Sequence, residues 1–449
     1  MSTLAALLLS RLENRLETVR DVLGQKKSGV LSLTLCVPQL SFHGLPPLQG
    51  EVYYWSRPDS ANSLLGYETA IALSTSGEKR LSALAQLGQE KRADWVCLDP
   101  DVTGDGPVWF CGFPFEEDTE DAMLYLPLLL LKQQGDKTSL TLSCTCGPDT
   151  DVHSIFKRWR AALKKLVQAV LIPASLNKSV KNELTHVAAI PSQAQWQDRV
   201  EQAIEAIERG TLAKVVLSRR VEVEAVGGFD IPALVTYLSR CYANCTVMVF
   251  PLKGKTVVAA TPERLVGLFD RQVHCDALAG THEKQAALLS DSAKDQHEHR
   301  LVIDMIKDRL SPLCDHMDIQ RTPEVMGLQN LTHLRTPIRA RANAGVGLLD
   351  LAQTLHPTPA VGGTPRKAAL DWLVAQKEER CDWYSGAFGW MIPNGDGDLN
   401  VVLRCASVMG KRAILSAGAG IVAGSTPCGE WQETEWKLQA MLDALTEAG

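Results

Sequence analysis

Ile414-Leu-Ser-Ala-Gly-Ala-Gly-Ile-Val422, followed by Gly429-Glu-Trp-Gln-Glu-Thr-Glu-Trp-Lys-Leu438, is the stretch on which the reading of this chain turns. An apolar, strand-like run is interrupted at Gly418 and Gly420, where bare backbone lets a bound group come close to the amides. An acidic segment follows and reads as the start of a helix over 430–446. Glu430 and Glu433 stand three apart, so a helix places them on one face. Two readings are open here. Paired carboxylates can hold a cation, and an acidic first turn can equally be a solvated one that the helix dipole favours.

The surrounding chain is 449 residues long, 45% hydrophobic and 22% charged, which is ordinary globular composition. Its net charge of −6 recommends neither nucleic acid nor an acidic membrane surface as partner. Twelve scattered cysteines include no pair of C-x-x-C knuckles, which argues against a zinc site. With no secretory signal read at the N-terminus, the cysteines are expected as reduced thiols in a cytoplasmic protein. Leu8, Leu12, Leu16, Val19 and Leu23 keep helical spacing, so residues 1–25 are expected as an amphipathic helix. The apolar run Tyr125–Leu131 is too short to span a bilayer.

Between 30 and 150 the expected elements are mostly strands, near 30–37, 51–55, 95–98, 108–111, 123–126 and 139–143, with helices at 78–90 and 153–171. Residues 172–196 read as a loose connection between an N-terminal portion, 1–190, and the portion 196–449. A helix is expected at 194–208. Beyond it the expected strands are 213–225, 246–251, 256–260, 265–268, 274–278, 385–392, 398–408 and 413–417. The expected helices there are 230–240, 293–310, 347–355 and 366–377. Strands in runs, with Asn-Gly and Asp-Gly turns at 394–397, indicate antiparallel sheets with helices outside, an α+β class.

Five segments could carry chemistry. In Gly210–Arg220, strand alternation groups Lys214 with Val216, Ser218 and Arg220 on a mostly polar face. That pattern favours a solvated lysine over one held in a site as a proton acceptor. Thr261-Pro-Glu263 is either a surface turn or a carboxylic acid kept protonated by its pocket. Asp295 and Glu298 are spaced like Glu430 and Glu433, and two such helices could hold a hard cation such as Mg²⁺. Arg404, inside an apolar strand, needs an anion, internal or bound. His356 lies in a Pro/Gly-rich loop.

The order of the motifs is more specific than any of them. Leu-Ala-Lys-Val-Val-Leu-Ser-Arg, Thr-Pro-Glu-Arg-Leu, Ala-Leu-Ala-Gly-Thr, Lys-Asp-x-x-Glu-His, His-Pro-Thr-Pro-Ala, Tyr-Ser-Gly-Ala-Phe-Gly-Trp, Leu-Arg-Cys-Ala, Gly-Ala-Gly-Ile-Val and Gly-Glu-Trp-x-Glu-Thr occur in this sequence over residues 196–449. The series resembles the chorismate-utilising enzymes, a family of isochorismate, salicylate, anthranilate and aminodeoxychorismate synthases. Within it the chain looks most like the isochorismate synthases, and its long N-terminal portion looks like their menaquinone-pathway type.

The resemblance implies one α+β unit over 1–449, two packed and mostly antiparallel sheets flanked by helices. It also implies Mg²⁺-dependent conversion of chorismate to isochorismate. Lys214 matches the family's base and Glu263 its acid. Glu298 and Glu433 match metal ligands, with Asp295 and Glu430 beside them through water. Arg404 and Tyr384 match the positions that bind the side-chain carboxylate, helped by the amides near Gly418 and Gly420. Thr281 and His356 match positions close to the ring. His282-Glu-Lys284 stands where the aminating relatives usually show an arginine-rich turn. That departure, with Lys214 present, implies water as nucleophile and no glutaminase partner. Salicylate synthase, which shares Lys214 and Glu263, and the siderophore-pathway isochorismate synthases remain alternatives, as does a non-catalytic chorismate-binding protein.

Overall fold

Alternate side chains of the central strands enter different apolar layers, and this alternation builds the molecule. A computed structural model of the chain describes residues 3–25, 28–42, 44–117, 121–147, 150–172, 181–282, 292–329 and 331–448. Tyr53 and Trp55 join one core, whereas Val52 and Tyr54 join another. Met248 and Phe250 likewise separate from Val247 and Val249. Strands buried on both faces in this way need helices outside them.

Two runs of strands result. The first passes through Gly29–Cys36, Lys137–Cys146, Ala122–Gln134, Asn62–Thr75, Val52–Arg57, Thr246–Leu252, Lys255–Thr261, Cys405–Met409 and Arg412–Ile421 to Lys214–Ala225. The second leads from the other half of Ala122–Gln134 through Trp109–Phe113, Ala387–Met391, Gly397–Val401, Arg264–Phe269 and Gln272–His282 to Thr332–Ala342. The pairings are antiparallel except Gly29–Cys36 with Trp95–Leu98. The fold is therefore α+β with mostly antiparallel sheet, as expected. The two runs share the long strands Asn62–Thr75 and Ala122–Gln134, whose register shifts between Thr69 and Ile71.

Between the runs lies an aromatic layer. Phe250 from the first stacks on Phe388 from the second, with ring centroids 4.2 Å apart, and Tyr53 stacks on Phe110 at 5.4 Å. Such contacts contribute about 0.5–1.5 kcal/mol each beyond burial. Helices Thr3–Glu13, Val152–Val170, Ile231–Cys241 and Pro427–Glu447 cover the outer face of the first run. Ala293–Leu310 and Leu348–Leu355 cover the second, and Gln193–Glu208 packs on the end of the first, against Arg412–Ile421 and Lys214–Ala225. Leu12 and Phe156 share a core with Leu415 and Leu445, so the N-terminal and C-terminal portions are packed together.

Several expectations are corrected. The helix over 1–25 is two, Thr3–Glu13 and Leu16–Gln25. The loose connection at 172–196 contains the strand Leu184–Ile190, while 173–180 lie outside the described residues. Asn62–Thr75 and Thr332–Ala342 were missed. The first is broken by Gly66 and small polar residues. The second carries Pro337 and outward arginines that mask its alternation. The strand expected at 398–408 is two, Gly397–Val401 and Cys405–Met409, separated where the chain crosses from the second run to the first. The reverse crossing is Pro262-Glu263, between Lys255–Thr261 and Arg264–Phe269. The two crossings are hydrogen-bonded neighbours: the Val401 amide donates to the Glu263 carbonyl (3.0 Å) and the Ala260 amide to the Arg404 carbonyl (3.2 Å).

Candidate active site

The crossings carry Glu263 and Arg404 into the same cavity at one end of the aromatic layer. Thr281, Glu298, Tyr384, Gly418 and Gly420 also line it, as do His333 and Lys437. This cavity is narrow, about 60 Å³, and is not the largest in the protein; a space of about 390 Å³ lies elsewhere. The narrow one holds the groups with shifted protonation and is the candidate site.

Lys214 is wholly buried, contrary to its polar strand pattern. Both faces of the first half of its strand are buried, so the alternation is solvated only in the second half. Its Nζ donates to Glu298 Oε1 at 2.7 Å. A buried ammonium needs such a partner. Lys214 sits just behind the cavity wall. A Cβ built on Gly420 would stand 2.6 Å from Glu298 Oε1, 2.8 Å from Lys214 Cε and 3.2 Å from its Nζ. Gly420 is thus glycine because the ion pair passes over it. Gly418 is similarly crowded: a Cβ would meet the Leu217 carbonyl at 2.8 Å and the Tyr384 hydroxyl at 2.9 Å. Beside the role expected of these glycines, amides open to a ligand, stands a second reason for them, room for the side chains of Lys214, Glu298 and Tyr384.

Burial raises the Glu263 carboxyl to about 7, against the opposing pull of Lys214, Lys437 and Arg404. The acid keeps a proton near neutrality. Arg404 adopts φ of 48° at its crossing, a left-handed conformation that is costly without a side-chain reward. Its guanidinium donates to His333 Nε2 at 3.1 Å. Burial, with Arg404 nearby, pushes His333 down to about 3, so the ring is neutral. With Nε2 accepting, Nδ1 carries the proton and donates to the Gly280 carbonyl at 3.1 Å; Thr281 Oγ1 lies 3.2 Å from the same nitrogen. Burial raises the Tyr384 phenol, which stays protonated.

The acids expected at a metal site come from two helices, Ala293–Leu310 and Pro427–Glu447. Three lysines attend them. Lys294 pairs with Glu430 at 2.6 Å, Lys437 with Glu433 at 2.6 Å, and Lys214 with Glu298. Burial raises Glu430 to about 7, helped by Glu433, and its Oε2 is buried without a hydrogen-bond partner. Burial also raises Asp295, reinforced by Glu298 and Glu433. Among the described residues no three His, Cys, Asp or Glu side chains gather closely enough to enclose a metal ion alone. Mg²⁺ characteristically takes only one or two protein carboxylates and fills its octahedron with water and substrate oxygens. The all-oxygen donor set and the orphaned Glu430 oxygen fit that ion.

His356 departs from its expected place. It is not among the residues that line the cavity; its Nε2 bonds the Ser385 carbonyl at 2.9 Å and its ring packs edge-on to Phe113 and Phe115. Burial lowers it to about 3, and its position is that of a core histidine. His333 and Lys437 were missed in the sequence. His333 lies in an unrecognised strand. Lys437 follows Glu433 by one helical turn, a spacing that could have marked it. It also donates to the Gly418 carbonyl at 2.8 Å. Glu283 and Lys284 of the turn after Thr281 lie outside the described residues.

The family model described as chorismate binding enzyme matches residues 17–446. The chain belongs to the chorismate-binding enzyme family. Among other family members, the salicylate biosynthesis isochorismate synthase of Pseudomonas aeruginosa is 32% identical over 418 residues, covering 88% of this chain and 85% of that one. Isochorismate synthase MenF of Bacillus subtilis is 26% identical, covering 90% of each. The structure of the menaquinone-specific isochorismate synthase MenF of Escherichia coli superposes with a TM-score of 0.78 at 24% identity, over 97% of this chain and 99% of that one, and shares the fold of this family member.

Gly420→Ala is expected to force Lys214 and Glu298 apart, costing about 3 kcal/mol or more, the order of breaking a buried pair. Urea denaturation measures this; a loss below about 1 kcal/mol would mean the pair accommodates the methyl group. Glu263, raised in the folded protein, binds its proton more tightly there than in the unfolded chain. Its contribution to stability is complete below its ordinary value of 4.5 and is lost as pH rises through about 7. Glu263→Gln should therefore gain thermal stability relative to the parent at pH 8 but not at pH 4. An equal shift at both pH values would contradict the burial argument.

Proposed function

We propose that this enzyme is an isochorismate synthase, an isomerase that adds water at C2 of chorismate while the C4 hydroxyl departs. The observation that carries the reading is a buried lysine just behind the wall of a cavity together with, in its lining, a carboxylic acid raised to about 7. Addition needs a group to take a proton from water, and departure needs a group to give one. Lys214 takes the first role as a neutral amine, once its ammonium has passed a proton to Glu298 and the pair has parted, and Glu263 takes the second. One water enters and one leaves; the proton gained by Lys214 and the proton given by Glu263 leave the enzyme one proton transfer, from Lys214 to Glu263, away from the state that reacted.

Arg404 and Tyr384 hold the side-chain carboxylate beside Gly418 and Gly420, where Arg404 supplies the charge and Tyr384 a hydroxyl that does not ionise. Neutral His333 keeps Arg404 free of a competing anion. Thr281 lies by the ring, and His356 supports the wall from the core. We further propose that Glu298 and Glu433 hold Mg²⁺, with Asp295 and Glu430 beside them through water. When bound it would polarise the ring carboxylate as a Lewis acid. Water rather than ammonia is the nucleophile, so no glutaminase subunit is called for. The cytoplasm is its proposed place; among the described residues no helix is long and apolar enough to cross a membrane.

Menaquinone synthesis is the proposed destination of the product, supported by the match to Bacillus subtilis MenF over 90% of the chain. A second route, to salicylate, is favoured by the 32% identity to the Pseudomonas aeruginosa relative over 88% of the chain. That match also covers most of the N-terminal portion, so this portion does not separate the routes. Disrupting the gene in its own host should lower menaquinone. Loss of salicylate with menaquinone unchanged would select the second route.

Purified protein given chorismate and Mg²⁺ should form isochorismate, seen on chromatographic separation of products. Salicylate with pyruvate, or product only when ammonia is supplied, would overturn the reading. Lys214→Ala should lower kcat by about 10²–10⁴-fold with the fold intact by circular dichroism. Near-normal turnover would remove Lys214 as the base. Glu433→Gln should raise the Mg²⁺ concentration needed for half-maximal activity, and an unchanged requirement would remove Glu433 from the metal site.

A further inference from the structure

Along one face of the strand Lys214–Ala225, even-numbered side chains meet two cavities in succession. Val216 lines the catalytic cavity, whereas Ser218 and Arg220 line the larger one of about 390 Å³. Nothing in the proposed reaction uses the second space. Its facing wall is one side of the helix Gln193–Glu208, with Gln195, Arg199 and Gln202 at successive helical turns.

The walls combine two kinds of group. Arg220 and Lys377 bring positive charge, and Arg220 Nε is buried without a hydrogen-bond partner. Its Nη1 is 3.9 Å from Glu379, too far for a hydrogen bond. Arg199 is already committed to Glu378 at 2.9 Å. Nη1 of Arg220 also donates to Cys381 Sγ at 3.4 Å, a weak acceptor, which leaves the rest of the guanidinium fork to match a carboxylate. Asp198 and Glu379, also in the lining, oppose a polyanion and accept hydrogen bonds from hydroxyl groups. Ile190 and Pro191 add an apolar patch against which a ring can lie. We propose that this cavity binds a small hydroxylated ring carboxylate and that occupation there acts on the catalytic cavity.

The link between the cavities is the segment 376–385. Lys377 and Glu379 face the second cavity. Between them Glu378 accepts from the Ser218 amide and hydroxyl at 2.7 and 2.5 Å. The next residue, Arg380, donates to the carbonyls of Val361 (2.7 Å) and Val216 (2.9 Å), both of which line the catalytic cavity. Tyr384, further along, lines it too. Lys377, Asp382, Trp383 and Ser385 all have positive φ, between 26° and 63°. A segment held so far from its backbone preference is over-determined by its surroundings, and a ligand drawing on Lys377 or Arg220 redistributes that constraint toward Arg380 and Tyr384.

Salicylate is the probe, with its uncharged methyl ester as control. Calorimetry on the full chain should detect salicylate but not the ester. Arg220→Gln and, separately, Lys377→Gln should each weaken binding about tenfold or more, as loss of a charged partner for a carboxylate does. Melting temperature tells whether either variant remains folded, and the two variants guard against failure of one. Salicylate should also change KM or kcat for chorismate in the parent and not in Arg220→Gln. In Lys214→Ala saturated with chorismate, salicylate binding should persist. No binding at millimolar salicylate, or binding that chorismate displaces and neither variant alters, would overturn the proposal. The proposed reaction guides only the choice of probe; failure here would leave isochorismate formation intact, and failure of that reading would leave the binding result standing.

Discussion

A lysine ammonium with no exposed surface must have an anion beside it, and much of the site follows from how Lys214 obtains one. Its partner, Glu298, comes from the helix Ala293–Leu310, and the two side chains meet over one face of a neighbouring strand. Gly420 leaves that face bare, where any Cβ would collide with both. Four residues onward, beyond the strand's end, the chain turns through Gly424 into the helix bearing Glu430, Glu433 and Lys437. A single electrostatic demand thereby fixes one glycine, two helices and the spacing of the acids between them.

Desolvation sets the remaining protonation states, and it acts in opposite directions on acids and bases. The same dry cavity that keeps Glu263 protonated keeps His333 neutral. Both outcomes depend on the two crossings between the strand runs. A side chain within either run would face the aromatic layer or an outer core; one at a crossing faces the end of the layer, where polar partners can be reached. The mutual hydrogen bonds of the crossings keep Glu263 and Arg404 at fixed separation while each retains its own environment. The left-handed backbone at Arg404 is the cost of turning a strand residue into one that points along the cavity.

Elements with clean alternation or helical spacing were legible: 213–225, 246–251, 293–310 and the C-terminal helix all stand within a few residues of expectation. Strands whose outward face carries arginines or whose run contains proline, such as Thr332–Ala342, were not. The break at 402–404 was invisible because Val402 and Leu403 are good strand residues; tertiary crossing, not local preference, ends the strand there. Site residues divide in the same way. The motif series named Lys214, Glu263, Glu298 and Arg404, whereas alternation alone argued for a solvated Lys214. His333 carries no local signal, since its importance comes from Arg404 across 71 positions of sequence.

The acidic turn at Glu430 illustrates why a local reading failed. A solvated first turn would leave both carboxylates ionised and exposed, with the helix dipole as their reward. Here Thr426 caps the helix by accepting from the Gly429 amide, and Glu430 is buried rather than solvated. Burying it beside Glu433 is unfavourable unless positive charge arrives. Lys294, from the other acidic helix, provides some: burial alone would lower that lysine, yet Glu430, Glu433 and Glu298 raise it. Four carboxylates nevertheless face three lysines, and one Glu430 oxygen is left without a partner. An arrangement made only for stability would gain by replacing Glu430 with an apolar residue, since a half-satisfied buried acid costs more than it returns. The Mg²⁺ proposed above, with Glu430 beside it through water, would supply the positive charge that the three lysines leave short.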